Sequence, residues 1–196
     1  MRIQEETRAV VSELKQQFRL LGGLVAIMWI AEILDQWVLG GQLDRFGIIP
    51  RTLIGLRGIP LAPFLHGNFA HLAGNTLPFL VLGWLIMLRD TQDFLRVTLV
   101  VGLTSGLGTW LFGSPGSHIG ASGVIFGYLG YLLLRGLFER RLGSISLSLL
   151  VGTLYGSMIW GILPLQQGIS WEGHLFGFLG GVLAARLLVA HSKGNS

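Results

Sequence analysis

The chain contains no cysteine in 196 residues. That excludes disulfides, a thiol nucleophile and cysteine-ligated metal centres, and it leaves the redox compartment undetermined. Charge is scarce too: Asp, Glu, Lys and Arg make up 12% of the residues, where a soluble domain carries about 25%. Histidine and carboxylate pairs at metal-ligand spacing are missing, and the Glu172-Gly173-His174 string does not supply one. No metal and no cofactor are expected. The formal net charge is only +4, and the basic residues are scattered through short stretches, which argues against a nucleic-acid partner. An acid-poor leader is not expected either, because the first 19 residues contain Glu5, Glu6 and Glu13. Residues 1–19 read as a cytoplasmic tail, either solvated or an amphipathic helix.

What is abundant is apolar side chain and glycine. Hydrophobic residues are 51% of the chain and glycines number 30, with a mean hydropathy of +0.64. This is the composition of an integral membrane protein whose helices meet through small residues. A membrane helix needs roughly 20 mostly apolar residues, and six segments qualify: 20–39, 71–88, 94–112, 122–138, 145–163 and 173–190. The expected fold is an all-α, six-helix membrane bundle over residues 20–190, followed by a polar tail, 191–196, that includes His191.

Basic residues orient the path. Arg2, Arg8, Lys15 and Arg19 precede the first helix, and Arg89 and Arg96 lie between the second and third. Arg135, Arg140 and Arg141 follow the fourth, and Arg186 and Lys193 end the sixth. Eleven of the fourteen Lys and Arg residues thus fall on one side; Arg45, Arg51 and Arg57 lie on the other. The positive-inside rule then makes both termini cytoplasmic. The first outer connection, residues 40–70, is long, carries Pro50, Pro60 and Pro63, and is too apolar for a free linker. It is expected to flank the bundle, partly in the interface.

With that orientation the starts of helices two, four and six share one depth, and each carries polar residues. Ser122, between Ala121 and Gly123, opens the fourth helix. It can be a small packing residue, a helix N-cap or a nucleophile. His174 opens the sixth, where an ionisable side chain is costly and points to function. Gly173, Gly177 and Gly181 recur every four residues below His174, and Gly123, Gly127 and Gly130 line roughly one face below Ser122. Two glycine faces can meet closely and bring serine and histidine within hydrogen-bond reach, giving a nucleophile and its base. His71 and Asn75, four apart on the second helix, can donate hydrogen bonds to an oxyanion. The bland alternative is a polar packing cluster. Pro78 is expected to loosen that helix.

Three motifs together resemble the rhomboid family of intramembrane serine proteases: Gly120-Ala121-Ser122-Gly123; His66, His71 and Asn75 in H-x4-H-x3-N; and His174, Gly177 and Gly181 in H-x2-G-x3-G. The resemblance spans about residues 20–190. It implies a Ser122–His174 dyad, His71 and Asn75 at the oxyanion, and His66, Gly120, Gly123, Phe126, Gly177 and Gly181 packed around them. It further implies a water-filled cavity open to the outer face, membrane-anchored protein substrates cut in or near their membrane segment, and residence in a bacterial cytoplasmic membrane. A non-catalytic relative that binds membrane segments is the rival reading; such a protein is free to lose the serine or the histidine, and both are present. A transporter finds no support in a charged pathway or an inverted repeat. Two features depart from the family pattern. The first loop lacks a Trp-Arg pair, and Phe126 replaces a tyrosine that stacks on the histidine. His118 reads as solvent-facing and Glu172 as a loop residue, while Glu32 and Asp35, late in helix one, receive no role.

Overall fold

The computed structural model describes residues 2–166 and 168–194. Six long helices occupy most of them: α1 (Arg2–Leu34), α2 (Phe69–Met87), α3 (Thr91–Phe112), α4 (Ser122–Glu139), α5 (Leu142–Tyr155) and α6 (Trp171–Gly194). A π-helical turn, Asp35–Leu39, prolongs α1, and a 3-10 segment, Gly156–Ile162, prolongs α5. Short polar side chains set two of the starts. Asn68 accepts the His71 N–H at the head of α2 (2.8 Å), and Asp90 accepts the Gln92 N–H at the head of α3 (2.8 Å). Arg140 ends α4 in the left-handed region, at φ 56°.

α4 is the axis of the bundle. Val124, Ile125, Tyr128, Leu129, Tyr131 and Leu132 are all buried, and α4 packs most extensively on α6, then on α5, α3 and α2. Three of these approaches use a glycine where a Cβ would collide: Gly127 against Val101 of α3, Gly130 against Phe178 of α6, and Gly136 against Ser148 of α5. The α4–α6 contact is the tightest. A Cβ on Gly177 would overlap the Gly123 carbonyl oxygen, and one on Gly181 would overlap that of Gly127. These obstacles are backbone atoms, which cannot rotate away.

Six crossings were expected from the sequence; five helical segments are long and apolar enough to cross a membrane among the described residues. The exception is α4. Its two buried tyrosines, its glycines and Arg135 face protein on all sides, so this helix does not need the apolarity that lipid contact demands. Other expectations also change. Residues 2–19 are neither a separate tail nor a separate helix, because α1 runs unbroken from Arg2. Gln17 ties that extension to the α2–α3 turn by donating to the Met87 carbonyl (3.1 Å) and to Thr91 Oγ1 (3.3 Å). α6 continues to Gly194; the His191 side chain and residues Asn195 and Ser196 lie outside the described set. Pro78 does not interrupt α2, which is helical throughout. The first connection folds into short helical turns at Leu43–Phe46, Ile54–Arg57, Gly58–Leu61 and Ala62–Phe64.

At the end of the bundle opposite Ser122 the buried Arg135 is paired. Arg135 is 7% exposed. Its guanidinium donates to Glu139 (3.0 Å), to Asp93 (3.3 Å) and to the Tyr131 hydroxyl, and Arg89 also pairs with Glu139. Buried charges persist only with such saturation.

The packing predicts contrasting glycine substitutions. Gly181→Ala should force α4 and α6 apart and destabilise the protein by about 1–3 kcal/mol, an overpacking penalty. Gly23→Ala, where a Cβ meets nothing within 4 Å, should be neutral or slightly stabilising. Thermal unfolding in a mild detergent compares the two; equal midpoints would remove the close contact as a stabilising feature.

Candidate active site

Ser122 is the first residue of α4; Ala121 occupies the cap position and no side chain caps the helix. The hydroxyl is therefore not spent on the helix end. It lies 2.7 Å from His174 Nε2. His174 stands in the first turn of α6, and its Nδ1 is 2.9 Å from the Gly161 carbonyl. A carbonyl only accepts, so Nδ1 carries the proton and Nε2 presents its lone pair to the serine. Phe126, one turn below Ser122, stacks on the imidazole with ring centroids 4.1 Å apart and planes 6° from parallel. Gly161 leaves room for both rings, since a Cβ there would stand 2.7 Å from Phe126 Cζ and 3.4 Å from His174 Nδ1. Ser105 of α3 donates to the Gly173 carbonyl (2.9 Å) and steadies the turn that carries the histidine.

The second group lies across the loop 113–121. Gly120 has φ +111°, and a Cβ there would fall 2.8 Å from His71 Cε1 and Nε2 and 3.5 Å from Asn75 Nδ2. Only glycine lets this backbone pass so close to α2 in that conformation. His71 and Asn75 are thereby brought beside the residues leading into Ser122. With Ser122, Phe126, Met158 and His174 they line a cavity of about 400 Å³. Asn75 is 8% exposed, yet its Nδ2 has no hydrogen-bond partner among the described residues. Buried unpaired donors are uncommon and ask for an explanation.

His66 lies behind this pair, edge-on to His71 at 5.0 Å, with its Nε2 accepting the Ala121 N–H (3.4 Å). Burial, reinforced by the neighbouring His71, pushes its pKa down to about 4, so it is neutral and able to accept. The Gly120 N–H bonds to the Ala62 carbonyl (2.9 Å), and Ile48 and His118 exchange two backbone bonds of 2.9 Å each. The first connection thus braces the serine loop from behind.

Two sequence expectations fail here. His118 is not simply solvent-facing: its ring nitrogens meet Ser170 Oγ (2.7 Å) and the Ser114 carbonyl (2.8 Å), which links the loops on either side of the cavity. Glu172 is not in a loop; it lies in the first turn of α6, buried, accepting the Ser114 N–H (2.8 Å). Glu32, in the last turn of α1, and Asp35, just after it, received no role before; both are buried, and Asp35 accepts the Leu43 N–H (2.9 Å). The residues that sequence reasoning overlooked are Gly161, Ser105 and Arg51. Arg51 donates to the Leu111 (3.3 Å) and Gly113 (2.9 Å) carbonyls at the end of α3, while Trp110 Nε1 donates to the Thr52 carbonyl (2.8 Å). A tryptophan and an arginine therefore anchor the first loop, although they are distant in sequence. Gly161 acts through its carbonyl, which leaves no trace in side-chain identity.

The Rhomboid domain family model matches residues 56–191. An uncharacterized protein of Mycobacterium tuberculosis is 45% identical over 178 residues, covering 86% of this chain and 74% of its own length. Rhomboid protease GluP of Bacillus subtilis is 34% identical over 131 residues, 63% of this chain and 24% of GluP. RHOMBOID-like protein 5 of Arabidopsis thaliana is 31% identical over 135 residues, 63% of this chain and 42% of the plant protein. The matched region contains Ser122, His174, His71 and Asn75, the serine, histidine and asparagine stations described above: this multi-pass membrane protein belongs to the rhomboid family.

Proposed function

We propose that the chain is an intramembrane serine endopeptidase that cuts membrane-anchored proteins in or near their transmembrane segment. The observation that carries this reading is the 2.7 Å contact between Ser122 Oγ and His174 Nε2, with the imidazole held in the tautomer a base requires. Ser122 Oγ attacks the substrate carbonyl while His174 Nε2 takes its proton, and the Gly161 carbonyl steadies the Nδ1–H of the imidazolium that forms. The unpaired Asn75 Nδ2, His71 and the Ser122 backbone N–H donate to the oxyanion. His174 returns the proton to the leaving amine, and cavity water hydrolyses the acyl-enzyme by the same steps in reverse order. On this reading α4 is a sixth crossing shielded from lipid by its neighbours. The arginine-rich ends of the helices and both termini are cytoplasmic, in a bacterial membrane.

Two predictions follow from these roles. Ser122→Ala should abolish cleavage of a membrane-anchored reporter, and His174→Ala should abolish both cleavage and fluorophosphonate labelling of Ser122, with the double variant no worse than either single. Unimpaired cleavage by folded Ser122→Ala would turn the reading toward a protein that binds membrane segments without cutting them.

The oxyanion assignment has its own magnitude. Removing one donor typically costs about 10² to 10³ in kcat, so Asn75→Ala should be slow yet above the Ser122→Ala background. Substrate affinity should hardly move, because the donors act on charge that appears in the transition state. Kinetics in liposomes with binding measured separately make the distinction; full turnover with weakened binding would make Asn75 a docking residue.

A further inference from the structure

We infer that the end of the bundle opposite Ser122 carries a binding site for an anionic phospholipid of the adjoining leaflet. A cavity of about 340 Å³ opens there between the end of α2, the inner half of α4 and the start of α5. Leu132 is buried at its floor, and Leu88 and Leu147 form apolar walls. Arg89, Arg135 and Arg141 supply its charge. The arginines differ in what they have left to give. Arg135 is saturated by Glu139, Asp93 and Tyr131. Arg89 spends one nitrogen on Glu139. The Arg141 guanidinium has no ion-pair or hydrogen-bond partner among the described residues. It also occupies the cap position of α5, where no side chain satisfies the first-turn N–H groups, so the positive end of that helix adds to its field.

The lining dictates the chemistry of the occupant. Unspent guanidinium groups fit phosphate oxygens, and the leucine walls fit an acyl chain at membrane depth. A free anion would leave the walls unused. A zwitterionic lipid brings a second cation against three arginines, which Glu139 and Asp93 offset only in part. Basic pockets between membrane helices recognise acidic head groups for these reasons. This site shares no residue with the proposed catalytic group, so it stands or falls independently of the protease reading.

The test uses the full chain in neutral detergent, with thermal unfolding followed by tryptophan fluorescence. Dioleoyl phosphatidylglycerol, dioleoyl phosphatidylcholine and inorganic phosphate are titrated separately. Phosphatidylglycerol should raise the midpoint saturably, as a ligand bound only by the folded state must, while phosphatidylcholine and phosphate should shift it little. Arg141→Gln breaks no contact within the protein. Its lipid-free midpoint should match the unmodified chain, and about fivefold more phosphatidylglycerol should be needed for half the shift, the loss of one cation's attraction. Arg45→Gln, in the first loop near the opposite end, should titrate unchanged. Arg89→Gln should weaken the response too but also strips Glu139 of a partner, so Arg141→Gln is the deciding variant. An unaltered titration in Arg141→Gln, equal shifts with the two lipids, or a phosphate shift matching that of phosphatidylglycerol would each overturn the proposal, the last by revealing a free-anion site.

Discussion

The close approach of α4 and α6 is the constraint on which the rest of this molecule depends. Lipid tails are as apolar as leucine, so nothing hydrophobic drives two helices together inside a bilayer; close packing and hydrogen bonds do. Gly123, Gly130, Gly177 and Gly181 remove the Cβ atoms that would hold these backbones apart. Ser122 precedes the first of these glycines and His174 lies three residues before Gly177, so the contact that joins the helices also sets the distance between hydroxyl and imidazole. Phe126 on α4 and Gly161 after α5 then leave the imidazole one orientation. The geometry of the pair is a by-product of backbone packing, and a rigid one.

The two ends of the bundle treat their polar groups in opposite ways. Around Arg135, donors and carboxylates are matched, and that end gains a fixed arrangement. Around Ser122 the accounts stay open: Asn75 Nδ2 is buried without a partner. Leaving a buried donor unpaired costs about 1–3 kcal/mol. Close packing along the α4–α6 seam helps to offset that cost. The proposed oxyanion role gives the orphan a partner that exists only during reaction.

The loops supply the remaining order. The first connection hydrogen-bonds the serine loop at Ile48 and Ala62, and Arg51 with Trp110 clamps that connection to the end of α3. The clamp joins residues 59 apart in sequence, so no adjacent Trp-Arg pair in the first loop marks it. His118 and Glu172 join loop 113–121 to the head of α6. Both looked like surface residues because a polar side chain next to an apolar run carries no sign of which loop will fold over it.

The sequence by itself determined a great deal. Glycines at four-residue spacing mark a smooth helical face, apolar runs mark membrane helices, and costly polar residues at Ser122, His174, His71 and Asn75 mark where function is placed. These signals are local, so they survive in the linear chain. Only the tertiary structure decided which smooth face meets which, and hence that residues 52 apart in sequence lie 2.7 Å apart. It also decided that α4 is enclosed by its neighbours, which hydropathy misreads because protein replaces lipid around it, and that the histidine is oriented by the Gly161 carbonyl. Every residue has a carbonyl, so a backbone acceptor acquires a role only from where the chain places it, and placement is a property of the packed bundle.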